Sequence, residues 1–293
     1  MKRQPKFAWI IALVALAGVG LFAYPAVSNY IFQRNASTAT YELDKAAQDA
    51  GKEALEKALE EARAYNRSLE GNPVNDPFLK GSGMVIDDNY ADLLDLNEGA
   101  MGHISVPEIG VKLTIFHGTA DAILQKGIGH LEGSSLPVGG ESTHCVLTGH
   151  TGLAHAKMFT DLIKLEKGDM FYLYIFGEVL AYKIDQILTV LPEDISNLSR
   201  VGGEDYCTLV TCTPYALNTH RLLVRGVHVP YNPEQEQALL DEASPSAQWF
   251  TQWNMLIGLG VGLGFGVALF IAYRAKRKKE KAKKTYWWEN PEL

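Results

Sequence analysis

A thiol, an imidazole and a guanidinium at Cys212, His150 and Arg221 are the residue types most able to do chemistry together in this chain. A thiolate that attacks an acyl carbon creates an oxyanion, which an always-charged guanidinium stabilises. The thiol also needs an imidazole to move protons. Neighbouring strands must bring the three together. Thr208-Leu209-Val210-Thr211 reads as a strand of β-branched and apolar residues that delivers Cys212 to its end, since Pro214 has no N–H for the ladder. After a polar turn, Arg221 to Val229 alternates and runs apolar as a second strand, so Arg221 begins where Cys212 stops. His150 follows the apolar run Cys145-Val146-Leu147 in Thr148-Gly149-His150-Thr151-Gly152, where glycines allow a tight turn.

The stretch Thr208-Leu209-Val210-Thr211-Cys212-Thr213-Pro214, with Asn218-Thr219-His220-Arg221, resembles the signature of the sortases, cysteine transpeptidases of Gram-positive cell surfaces. Thr148-Gly149-His150 resembles their histidine motif, and the likeness runs from about Gly102 to Pro230. Leu131 to Gly140 and Lys157 to Leu162 resemble the class C, pilus-assembling branch. Thr151 departs from it, since many relatives carry an arginine there, outside the chemistry. The resemblance implies an eight-stranded sortase β-barrel with no cofactor, in which Cys212 attacks the Thr–Gly carbonyl of a Leu-Pro-x-Thr-Gly-type sorting signal. His150 would protonate the leaving amine, Arg221 would hold the substrate, and a pilin lysine amine would resolve the acyl-enzyme. It also implies that Asp76-Pro77-Phe78 forms a lid, with Asp76 facing Arg221 and Phe78 over Cys212; without it, Asp-Pro reads as a surface turn.

The elements that position these residues follow from pattern. From Gly102 onward eight runs have β character: His103–Val106, Val111–His117, Ile128–Leu131, His144–Thr148, Asp169–Phe176, Val179–Val190, Tyr206–Cys212 and Arg221–Val229. Short helical stretches fall near Ala120–Gln125 and Lys157–Leu165, and the whole predicts a mostly β, antiparallel-rich closed barrel over residues 100–232. Between Thr38 and Glu70, Ala, Glu, Lys and Leu predominate, with Leu55, Leu59, Ala62 and Leu69 at helical spacing. This predicts a juxtamembrane helix that packs on its own domain and ends at Gly71-Asn72-Pro73; with the lid it makes up residues 35–99.

At 293 residues and 47% hydrophobic content the chain can bury a full core, and disorder is excluded. Residues 1–34 carry four basic residues and no acid, and residues 274–293 carry eight basic and three acidic. The total of −7 therefore leaves −16 for residues 35–273, an acidic middle between basic ends. Lys2, Arg3 and Lys6 before the apolar run Phe7 to Ala23 have the form of a signal sequence or signal anchor, cleaved or retained. The uncharged run 255–273, after a linker at 233–254, reads as a transmembrane helix, and the basic tail 274–293 as its cytoplasmic flank. The expected setting is the cell membrane, with the catalytic part extracellular and both termini cytoplasmic if the first segment is retained.

The expected partners are pilin subunits with sorting signals and membrane lipid, with a peptidoglycan precursor as an alternative final acceptor and no nucleic acid. No Cys-x-x-Cys or His-Glu-x-x-His pattern accompanies the eight histidines, so no metal is expected. A pilin or adhesin would need a Leu-Pro-x-Thr-Gly-like motif before the second apolar run, and residues 241–248 contain none. A papain-like hydrolase would need an Asn or Asp to orient His150, and nothing in the sequence identifies one. Cys145 and Cys207 each lie five residues before His150 and Cys212. If those strands are parallel neighbours, the two cysteines meet as a disulfide or as touching buried thiols.

Overall fold

The computed structural model describes residues 5–69, 89–96 and 98–242, with isolated positions between 266 and 277. By internal contacts the chain falls into two units, Met1–Pro25 with Ser244–Leu293, and Ala26–Ala243. Among its described residues the second unit holds eight strands: β1 (Ala100–Val106), β2 (Val111–His117), β3 (Ile128–His130), β4 (Thr143–Thr148), β5 (Met170–Ile175), β6 (Glu178–Val190), β7 (Asp205–Thr213) and β8 (His220–Val229). They close in the order β1-β2-β3-β4-β7-β8-β6-β5. The expected barrel is present, and its antiparallel pairing is interrupted by two parallel pairs, β2 with β3 and β4 with β7. Closure removes the free edges that an open sheet exposes.

Alternation turns one face of each strand inward. Ile104, Ile115, Leu147, Phe171, Leu173, Tyr182, Leu209 and Val224 are all buried in one cluster. Phe171 and Tyr182 stack with ring centroids 5.3 Å apart, and Gly226 of β8 leaves room for them. A Cβ at Gly226 would lie 2.6 Å from the Phe171 ring and 2.8 Å from the Tyr182 Cβ, so only glycine fits without displacement.

The helices given in full by the described residues are α1 (Pro5–Ala50), α2 (Lys52–Ser68), α3 (Asp121–Leu124) and α4 (Pro233–Glu242). The single helix expected over 38–70 is divided, because Gly51 between α1 and α2 takes φ 81°, a left-handed value that breaks the helical path. Packing on its own domain is found: Leu59, Ala62, Tyr65 and Asn66 of α2 are buried. Asn66 acts as a surrogate strand edge, its Nδ2 donating to the Leu136 carbonyl at 3.1 Å while its Oδ1 accepts the Leu136 N–H at 2.7 Å. Arg63 pairs with Glu178 of β6 at 2.7 Å. The helical stretch expected at 157–165 is a 3-10 helix over Thr160–Lys164.

Residues 233–242, read from sequence as part of a linker, form α4 instead. Asn232 caps it, accepting from the Glu234 and Gln235 N–H groups at 3.0 and 3.4 Å, and Pro233 opens it. Glu236 then turns inward and accepts from Tyr174 and Tyr231 hydroxyls, which holds the helix to β5. Among the described residues no helix is long and apolar enough to cross a membrane. Many side chains of the run 7–23, and most of 255–293, lie outside the described residues.

Candidate active site

The site is built from the ends of three strands. β7 continues through Cys212 to Thr213, and Pro214 stops it as its missing N–H requires. In the antiparallel register of β7 with β8, Cys212 is the direct partner of Arg221. The intervening turn closes by hydrogen bonds from the Leu217 and Asn218 N–H groups to the Pro214 carbonyl, at 3.1 and 3.0 Å. Its carbonyls then orient the guanidinium: Arg221 Nη1 donates to the Asn218 and His220 oxygens, both at 3.3 Å. Cys212 is half-buried and Arg221 is buried to 8% exposure, so a charge is held at the barrel mouth beside a reachable thiol.

His150 arrives along the other neighbour of β7. β4 runs parallel to it with Thr148 opposite Val210, so His150 and Cys212 each lie two residues beyond a matched pair. Two bonds extend that register past the last strand residue of β4: the Gly149 N–H donates to the Val210 carbonyl at 3.0 Å, and the Thr211 hydroxyl to the Gly149 carbonyl at 2.7 Å. Gly149 has no side chain for a reason of space, since a Cβ there would stand 2.6 Å from the Phe159 ring and 2.7 Å from Ile128 Cδ1. The His150 carbonyl accepts the Phe159 N–H at 3.0 Å, which closes the following loop. That loop is also tied to α1, whose Asn29 Oδ1 accepts the Lys157 N–H at 2.9 Å.

Cys212, His150 and Arg221 therefore meet at one end of the barrel, as their strand-end positions predict. Asp76, Pro77 and Phe78 lie outside the described residues. The equal spacing of the other cysteines holds, with Cys145 directly opposite Cys207, both buried. The disulfide itself is corrected: both are free thiols. A disulfide also needs a Cβ–S–S–Cβ dihedral of roughly ±90°, a demanding geometry between directly paired strands, and the two sulfurs sit side by side as thiols, the other expected outcome. Burial pushes the Cys207 thiol well above the usual range, with the Cys145 sulfur beside it adding to the effect, so reactivity is not expected there.

Sequence reasoning missed Asp121, at the start of α3, whose Oδ1 lies 3.5 Å from His150 Nε2. No sequence signal marks it, because the closeness of the β2–β3 connection to the end of β4 is a product of closure. His144, beside Cys145 on β4, has both ring nitrogens engaged, with the Ser199 carbonyl at 2.9 Å and the Thr208 hydroxyl at 2.7 Å.

Residues 104–229 match the sortase domain family. Among solved structures, sortase C of Streptococcus pneumoniae is 43% identical, with a TM-score of 0.63 over 67% of this chain and 98% of that one. Sortase C-1 of Actinomyces oris is 46% identical, with a TM-score of 0.57 over 60% of this chain and 99% of that one. Among curated proteins, sortase A of Streptococcus agalactiae is 31% identical over 44% of this chain and 53% of its own length. Sortase A of Bacillus anthracis is 28% identical over 43% and 58%. The match thus spans a little over half the length of these curated relatives. With nearly the whole of the Streptococcus pneumoniae sortase C structure covered at such identity, the chain belongs to the sortase family, in its class C branch.

Proposed function

We propose that this chain is a membrane-anchored transpeptidase that cleaves a Leu-Pro-x-Thr-Gly-type signal between Thr and Gly and joins the Thr carbonyl to a pilin lysine amine. The Cys212 sulfur attacks the Thr carbonyl carbon, and His150 gives a proton to the departing glycine amine as the C–N bond breaks. Arg221 donates to the oxyanion and holds the substrate. The lysine nitrogen then attacks the thioester, His150 takes a proton from it, and Cys212 leaves. The observation that carries this reading is the pair of registers on β7, which put Arg221 opposite Cys212 and bring His150 in from β4 at an equal offset. Pilin as substrate is supported by likeness to structures described as pilus-related, such as the pilus-related sortase C of Group B Streptococcus at 46% identity.

In this reading Asp76-Pro77-Phe78 covers the resting site. The runs 7–23 and 255–273 hold the chain in the cell membrane with its barrel outside, where a peptidoglycan precursor is a second class of final acceptor. The test is to incubate the full chain in detergent micelles with a Leu-Pro-x-Thr-Gly peptide and identify the adduct by mass spectrometry. A thioester on Cys212, absent from Cys212→Ala and His150→Ala chains that melt normally, is expected. Product formation by Cys212→Ala would refute the mechanism.

A further inference from the structure

Asp121 reaches the His150 imidazole from the connection between β2 and β3, a side of the barrel mouth that neither β7 nor β8 supplies. A carboxylate that steers a catalytic imidazole is buried with it and hydrogen-bonded to it. Asp121 is different: its side chain is 83% exposed against 21% for His150, and its Oδ1 stands 3.5 Å from Nε2, longer than an ordinary N–H···O bond. Nε2 itself is shielded from solvent. An exposed carboxylate set against a shielded base suits the collection of a cation from water. The net −16 of residues 35–273 draws cations toward this part of the molecule.

The second half of the proposed reaction brings in one cation, the ε-ammonium of lysine. Resting on that transpeptidase reading, we propose that Asp121 is the acceptor-binding residue that receives the incoming primary ammonium and presents it to His150 Nε2. The ammonium, paired with Asp121, loses one proton to Nε2, and its nitrogen forms a bond to the thioester carbon. The C–S bond breaks, and the second proton goes to the Cys212 sulfur. Amide, imidazolium and thiol are the products, so atoms and charge balance. Water and uncharged amines gain nothing from the carboxylate, and the site thereby favours a charged primary amine over hydrolysis.

The test is a competition for the acyl-enzyme. The full chain in detergent micelles is loaded with a Leu-Pro-x-Thr-Gly peptide and offered a lysine-containing peptide together with hydroxylamine, which is uncharged near neutral pH. Any change in acylation is common to both products and cancels from their ratio. The lysine-to-hydroxylamine ratio is expected to fall about fivefold in Asp121→Asn, to fall further in Asp121→Lys, and to be kept in Asp121→Glu. An unchanged ratio in the Asn and Lys variants overturns the inference, even if both products slow equally, since that would make Asp121 a positioning residue for His150. Failure of the parent chain to form the Cys212 thioester overturns the transpeptidase reading itself and the Asp121 role with it.

Discussion

Two histidines show how placement divides one residue type between tasks. His150 lies at a strand end beside an exposed carboxylate, while His144 sits inside the β4–β7 pair at 1% exposure. Burial holds the His144 imidazole down to about 4, with the charge of Arg225 acting in the same direction and the Ser199 carbonyl against it. The folded ring is thus harder to protonate than an unfolded one near 6.5. As pH falls below 6.5 the unfolded chain takes up the proton first, so stability that is complete above pH 6.5 is lost progressively down to about 4. The loss from this residue is on the order of 3 kcal/mol. His103, pushed down to about 3 chiefly by burial, adds in the same direction. Melting temperature should fall between pH 7 and pH 4.5, and His144→Gln should flatten that fall even if its melting point at pH 7 is lower. An equally steep dependence in the variant would contradict this account. The roles proposed for Cys212, His150 and Arg221 were legible in sequence because strand punctuation and a known motif coincide at them; Asp121 has neither.

At the scale of elements, α2 supports the barrel through a few polar contacts set in an apolar face. Asn66 is 5% exposed and satisfies both backbone groups of Leu136. Its replacement by Ala leaves the Leu136 N–H without that partner, while the carbonyl keeps the Val138 N–H at 2.8 Å, at a cost of about 1–3 kcal/mol. Urea unfolding of Asn66→Ala checks the figure, and a loss below about 0.5 kcal/mol would mean that water replaces the amide. The proposed lid also belongs to this scale. Replacing both Asp76 and Phe78 by Ala should raise the rate at which Cys212 reacts with a small thiol reagent, with little change in melting temperature, because closure reduces the competent population. An unchanged rate would leave 75–78 as an ordinary surface turn. The helical character of α2 and α3 was read from pattern, but the break before α2 and the existence of α4 were not. The break at Gly51 depends on a left-handed backbone that no periodicity reports, whereas α4 carried its signal openly in Asn232-Pro233 and was obscured by its polar composition.

For the molecule as a whole, one chain topology turns eight short strands into a single mouth. The sequence by itself determined the eight strands to within a few residues, the acidic middle with its basic ends, and the chemistry available at Cys212, His150 and Arg221. It could do so because alternation, proline stops and residue type are local properties. It also determined that Cys145 would face Cys207 once β4 and β7 ran parallel, since equal offsets survive any such pairing. Only the tertiary structure decided that those strands are neighbours, that the thiols stay unjoined, that α1 holds the loop after His150, and that Asp121 stands beside the imidazole. Each of these depends on distances between residues far apart in sequence, and such distances are set by barrel closure and by packing against the core.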